Sequence, residues 1–191
     1  MQHSERQLIA QAQRGRREAF GELVRRYQDR VFNLAYRLLG SVQEAEDVTQ
    51  ETFLCAFRAL RTFRGRSQFF TWLYRIAVNK AANARRGRLL RYRRERDDKL
   101  LGDGQRPQEN SPSRALEAEE EELLLQKALN QLSPDHRTVL VLSVIEGMKY
   151  EAIAETLHIP VGTVRSRLHR ARLELREVLS SMDARAALGE E

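Results

Sequence analysis

Arg165, Ser166, His169 and Arg170 crowd into one stretch, IPVGTVRSRLHRAR, residues 159 to 172. The chemistry these side chains share is hydrogen bonding to a polyanion. A guanidinium fork bonds a guanine edge bidentately, Ser and His reach base edges or phosphates, and flanking arginines hold the backbone. At about 100° per residue, Val164, Leu168, Ala171 and Leu175 share one face of a helix. Arg165, Ser166, His169 and Arg176 fall on the opposite side, with Arg170 and Arg172 on its flanks. The apolar face should pack and the basic face should meet solvent. Upstream, YEAIAETL reads as a short helix and HIP as a tight turn. That is the order of a helix-turn-helix whose second helix enters the major groove. A solvated basic face is the plain alternative; turn, proline and polarity together favour duplex DNA.

A second set lies in RTFRGRSQFFTWLYRIAVNK, where Phe63, Phe69, Phe70, Trp72 and Tyr74 alternate with Arg61, Arg64, Arg66, Arg75 and Lys80. Aromatic faces stack on unpaired bases while cations track phosphates, a pairing suited to single-stranded nucleic acid. Most aromatics at helical spacing are core, and Trp72 with at least one of Phe69 and Phe70 is expected to be so. A third set is a stripe: Asp47, Gln50, Glu51, Leu54 and Arg58 recur at helical spacing opposite Ala45, Thr49, Phe53, Ala56 and Leu60. Taken alone, the stripe is explained by a solvated face with a single exposed Leu; as a binding surface, an acidic stripe on a basic chain suits a basic protein partner better than DNA. Cys55 has no histidine nearby and reads as an ordinary small side chain, while His3, His136 and His158 read as surface or capping residues. No Gly-rich phosphate loop or HExxH stands in the chain, so catalytic residues, metal and cofactor are all expected to be absent.

The elements that must position these sets are helices. From Leu8 to about Leu90 apolar residues recur at helical spacing, broken at Gly15, Gly40 and Gly65, which predicts four helices. The third opens on Ser41 with Glu44 three residues on, a capping-box pattern directly after Gly40. The fourth is predicted to start near Ser67. Residues 97–114 carry two glycines and two prolines with little apolar periodicity, a flexible linker. Helical pattern resumes in EAEEEE and LLLQKALNQL; Ser133 and Pro134 open a helix that ends near Gly147. The chain of 191 residues is 41% hydrophobic and 31% charged, with a net charge of +6 and one cysteine. Those values exclude an intramolecular disulfide and favour a polyanionic partner in a reducing compartment. No apolar run has the length of a signal peptide core or a bilayer span, so no membrane insertion is expected and the cytoplasm is the expected location. The prediction is an all-α chain of two small helical domains, 1–96 and 115–180, joined by the linker and followed by a tail at 181–191.

AEDVTQETFL, FRGRSQFFTWLYRIAVNKAAN and IPVGTVRSRLHRAR stand in the order and spacing of one family. Over roughly residues 8 to 178 the chain resembles the extracytoplasmic-function (ECF) sigma factors of bacterial RNA polymerase, of the sigma-70 family. The resemblance implies sigma2 and sigma4 domains that bind core polymerase, at its largest-subunit coiled coil and its flap, and read promoter DNA. Asp47, Gln50, Glu51 and Leu54 would then grip the coiled coil. Phe63, Ile76 and Asn79 occupy positions of a pocket for a flipped base of the minus-10 element, and Arg75 and Lys80 would hold that strand. Arg165, Ser166, His169 and Arg170 would read the minus-35 element as duplex, where an AAC-type element is usual for the group. An anti-sigma factor is a further implied partner. Arg66 stands where many members carry a small or acidic residue, and Cys55 where many carry Lys or Arg. Two other accounts compete: a dimeric helix-turn-helix regulator acting without polymerase, which needs neither the acidic stripe nor the aromatic loop, and a single-strand-binding module, which leaves the helix-turn-helix unused.

Overall fold

A computed structural model describes residues 4–98 and 116–188, and among them every regular element is helical. The predicted linker therefore lies outside the described residues, except for its first two positions, which close a helix. The N-terminal half holds α1 (Glu5–Gln13), α2 (Arg17–Leu39), α3 (Val42–Ala59), a 3-10 turn (Leu60–Thr62) and α4 (Phe69–Asp98). The C-terminal half holds α5 (Leu116–Gln131), α6 (Pro134–Leu140), a π-helical turn (Val141–Ile145), α7 (Tyr150–Leu157) and α8 (Val161–Leu188). Helix α8 thus runs well past residue 180, where the tail was expected to begin.

Local chemistry explains the boundaries. Gly40 closes α2 in the left-handed region, φ 72°, and its N–H donates to the Tyr36 carbonyl. Directly after it, the Ser41 hydroxyl accepts from the Glu44 N–H at 3.3 Å. The reciprocal half of the capping box is not made, because the Glu44 carboxylate turns to Arg88 at 2.8 Å. Helix α4 begins at Phe69 rather than Ser67, after a bend through Gly65 at φ 67°. Pro134 takes the first turn of α6 as its fixed φ favours. Ser133 makes no side-chain cap there; its N–H donates to Glu174 Oε1 at 2.8 Å.

The core of the first half is built by Leu23, Val31, Leu34 and Ala35 of α2 against Ala45, Val48 and Ala56 of α3 and Leu73, Ala77 and Ala81 of α4. Burying each Leu or Val removes apolar surface worth about 1.5–3 kcal/mol. On α3 the buried set differs from the projected one. Ala45, Phe53, Ala56 and Leu60 are buried, but Thr49 is only half-buried, and Val48 and Thr52 are buried in addition. Thr52 is tolerated inside because its hydroxyl donates to the Val48 carbonyl at 2.6 Å, which leaves no unpaired polar group.

The core continues from the first half into the second. Arg137 of α6 is only 7% exposed and crosses the junction. Its Nη1 donates to the Leu38 carbonyl at the end of α2 at 2.9 Å, and its Nη2 to the Asn130 carbonyl at 2.7 Å. The Asn130 side chain lies against Gly40 so closely that a Cβ there would stand 2.6 Å from it. Arg37 pairs with Glu122 at 2.5 Å, and α4 packs on α7.

Candidate nucleic-acid interface

The helix-turn-helix is formed by α7, a turn at His158 and α8. His158 takes the left-handed conformation, φ 54° and ψ 44°, and its N–H donates to the Ala154 carbonyl. A residue other than glycine pays roughly 1 kcal/mol for that conformation. The apolar face of α8 anchors as projected, with Val164, Leu168 and Ala171 buried and Leu175 half-buried. Arg165, Ser166, His169, Arg170, Arg172 and Arg176 are all exposed. The Ser166 hydroxyl is turned back to the Thr163 carbonyl at 3.1 Å. Arg167 belongs to the scaffold, pairing with Asp135 of α6 at 2.7 Å. His136 binds Glu174 on the other flank of α8. Burial works to raise the Glu174 carboxyl, but hydrogen bonds from His136 and the Ser133 N–H hold it below its ordinary value.

The second surface lies along α4 and the loop before it. Gln13 of α1 fixes the loop's entry, its Nε2 donating to the carbonyls of Leu60 at 3.0 Å and Phe63 at 2.8 Å. Phe63 then packs at a tilt against Trp72, ring centres 5.1 Å apart, and edge-on against Phe69 at 5.7 Å. Phe69 is core, as expected of one of the pair. Trp72 differs from expectation: it is half-buried, as are Phe63 and Phe70. Trp72, Arg75, Ile76, Asn79 and Lys80 follow helical spacing on one face, so Phe63 extends a continuous half-exposed strip. Its cations are not free. Arg75 Nη2 meets Glu155 of α7 at 2.7 Å, and Lys80 Nζ meets Glu51 of α3 at 3.0 Å. The hydrogen bond to Glu51 raises the Lys80 amine above its ordinary value. Asn79 lines a cleft of about 170 Å³ between α4 and the C-terminal half, together with Arg85, Asp135 and Arg167.

The third surface is the stripe on α3. Asp47, Gln50, Glu51, Leu54 and Arg58 are all exposed, Leu54 by 57%. Leu54 is not alone, since Phe57 beside it is 46% exposed and rests edge-on against Phe20, 5.0 Å between ring centres. Periodicity hid Phe57 because aromatic residues default to core in a sequence reading. Cys55 stands half-buried on the same helix. Among the described residues no group of His, Cys, Asp and Glu is arranged to hold a metal ion, and no helix is long and apolar enough to cross a membrane.

Known proteins resemble the chain along most of its length. Residues 23–94 match the family model of sigma-70 region 2, and residues 122–175 that of sigma-70 region 4. The RNA polymerase sigma-H factor of Pseudomonas aeruginosa is 41% identical over 189 residues, covering 95% of this chain and 96% of that one. The ECF RNA polymerase sigma-E factor of Haemophilus influenzae is 39% identical over 180 residues, covering 90% and 93%. Among solved structures, CnrH in complex with the cytosolic domain of CnrY superposes with a TM-score of 0.68 at 28% identity, covering 91% of this chain and 96% of that one. The sigma factor RpoE of Bartonella quintana, bound to the anti-sigma factor NepR, gives 0.65 at 27% identity, covering 84% and 96%.

Proposed function

The chain belongs to the ECF sigma factors, promoter-specificity subunits of bacterial RNA polymerase, and from that premise we propose how its three surfaces divide the work of initiation. Its function is that of a sigma factor in transcription initiation; a dimeric regulator acting without polymerase is not favoured, because the relatives named as sigma factors align over nearly the whole chain. The finer assignments follow. Asp47, Gln50, Glu51 and Leu54 bind core polymerase through the coiled coil of its largest subunit, and the sigma4 half meets the flap. Carboxylates steer a basic partner and Leu54 supplies a small apolar anchor.

Phe63, Arg75, Ile76, Asn79 and Lys80 capture the melted minus-10 strand, with Trp72 as the floor beside Phe63. Stacking of an extruded base contributes about 1–3 kcal/mol, which favours the open duplex by a factor of roughly 5 to 150 without a nucleotide cofactor. Arg165, Ser166, His169 and Arg170 read the minus-35 element in the major groove, Arg172 and Arg176 holding phosphates. The chain contributes binding rather than bond-breaking chemistry and works in the cytoplasm beside the polymerase. An anti-sigma factor covering these surfaces is its regulatory partner; the sigma factor RpoE of Bartonella quintana was itself solved in complex with an anti-sigma factor, NepR.

The observation that carries this reading is the partly exposed strip from Phe63 to Lys80, which brings aromatic, amide and cationic groups together at one surface. The test is transcription in vitro by bacterial core polymerase on a genomic fragment library, with and without the protein. New discrete starts that share upstream elements, lost in Arg165→Ala and in Asp47→Ala, are expected. No new starts together with tight duplex binding by the protein alone would overturn it.

A further inference from the structure

The loop that leads into the single-strand surface is held at its two ends. Residues 64–67 make no hydrogen bond or ion pair among the described residues. A Cβ on Gly65, at the bend, would meet nothing within 4 Å. The exit is fixed by packing: Phe69 is buried, and its ring centre lies 5.5 Å from that of Tyr27, whose hydroxyl bonds Glu5 of α1. The entry is fixed by Gln13, the last residue of α1, a helix anchored by the burial of Leu8 and Ala12. Gln13 Nε2 reaches across the fold to two acceptors, the Leu60 carbonyl at 3.0 Å and the Phe63 carbonyl at 2.8 Å. The Phe63 N–H also donates to the Leu60 carbonyl at 3.0 Å, so Gln13 spans both ends of the 3-10 turn. A primary amide carries two N–H donors on one nitrogen, and turning it over would set its oxygen against two acceptors, so the side chain has one way to fit.

We propose that Gln13 is a positioning residue for base recognition: by holding the carbonyls of Leu60 and Phe63 it fixes where the Phe63 ring stands, and so sets how strictly the chain selects the minus-10 base received there. The inference rests on the assignment of Phe63 to the minus-10 strand. Phe63 joins the two parts of the arrangement, since Gln13 grips its carbonyl while its half-exposed ring packs against Trp72 and Phe69. Ring contacts alone place it loosely, because tilted and edge-on aromatic pairs are favourable over centroid separations of about 4.5 to 7 Å. Hydrogen bonds are stricter and weaken steeply as their angle departs from linear. The difference bears on selection more than on affinity. A base held by stacking alone is accepted whatever its identity, since every base has a π-face. Telling one base from another needs edge contacts at fixed distances, which depend on a pocket wall that does not move. Solvent would satisfy the same two carbonyls; what the glutamine adds is the fixed connection to α1. Without it, stacking survives and selection blurs.

The test uses the holoenzyme, reconstituted from bacterial core polymerase and the full chain. It is mixed with a pool of short single-stranded DNA of random sequence, and the retained strands are sequenced to give base preferences position by position. Phe63→Ala marks the position at which that ring receives a base, by abolishing the preference there. Gln13→Met keeps the length of the side chain and removes both N–H donors. It is expected to weaken the preference at that one position by about threefold or more and to leave the other positions as they are. Retention of the pool as a whole should fall by less than about threefold, because stacking survives. Gln7→Ala removes the capping-box bonds at the other end of α1, at 3.0 and 3.3 Å, and should lower the Tm of the free chain while leaving every preference unchanged. An unchanged preference in Gln13→Met at the position marked by Phe63→Ala overturns the proposal. A parallel loss at all positions in Gln13→Met, matched by Gln7→Ala, also overturns it, because α1 would then only support the fold. Failure of the underlying assignment has a different signature: Phe63→Ala would alter no position.

Discussion

Arg137 is a charged side chain in a hydrophobic junction, and its replacement by Met has a sign that magnitudes decide. Burial lowers the guanidinium from its ordinary value to about 10, with the positive charges of Arg85 and Arg88 adding to the effect. A shift of that size corresponds to roughly 3 kcal/mol against the charged form. The group nevertheless stays protonated at neutral pH. Against this stand its bonds to the carbonyls of Leu38 at 2.9 Å and Asn130 at 2.7 Å, with a longer one to Asn130 Oδ1 at 3.2 Å. A hydrogen bond to a charged group contributes about 1.5–3 kcal/mol, so the two short ones together offset the burial cost or exceed it. Met keeps most of the apolar stem and avoids a large cavity, but it leaves two buried carbonyls unpaired, at about 1–3 kcal/mol each. The expected result for Arg137→Met is a loss of about 2 kcal/mol, or roughly 4–8 °C in Tm for a chain of this length. Urea denaturation followed by circular dichroism reads it. A neutral or stabilised Arg137→Met would refute the reasoning, because desolvation of the guanidinium would then outweigh its bonds.

Other expectations follow from the same geometry. Gly40→Ala should cost about 1–2 kcal/mol in backbone strain at φ 72°, and more because the Asn130 side chain must move; thermal unfolding measures it. Glu174 has a depressed carboxyl, so its contribution to stability is present above its ordinary value of 4.5 and is lost as pH falls through the lower folded value. Glu174→Gln should therefore flatten the acid limb of a stability–pH curve below about pH 4.5. Arg165→Ala should leave stability within about 0.5 kcal/mol, since the side chain is exposed, while weakening discrimination at one minus-35 base by about 1–3 kcal/mol in a duplex competition assay. Leu54→Ala, at a site that is also exposed, should lower affinity for core polymerase in a titration without moving Tm.

Features set by neighbours in sequence were legible from the sequence. Gly40 and Ser41 mark a stop and a start because each acts on its own turn, and Tyr150–Leu157 follows from apolar spacing and a following proline. The exposed face of α8 was legible for the same reason. Features set across the fold were not. Arg75 and Lys80 read as free cations, yet each meets a carboxylate on another helix, Glu155 being far away in sequence. Arg137 gave no sign of burial, since periodicity assigns charged residues to solvent. His158, by contrast, was local and legible in kind: HIP reads as a tight turn and His158 as a surface or capping residue, and it closes α7 in the left-handed region. The α3 face was displaced toward Val48 and Thr52 because a threonine that bonds its own helix packs like a valine.

The Glu51–Lys80 pair joins two surfaces that otherwise act on different partners. On the assignments proposed above, polymerase draws on Glu51 and the melted strand on Lys80, so each partner must dissolve the same ion pair. Whichever arrives first relieves the second of that step. The two are then heterotropic effectors of one another, and thermodynamic reciprocity requires the factor by which polymerase tightens DNA to equal the factor by which DNA tightens polymerase. A double-mutant cycle on Glu51→Gln and Lys80→Met, scored on both affinities, would show that shared factor shrinking equally in the two directions.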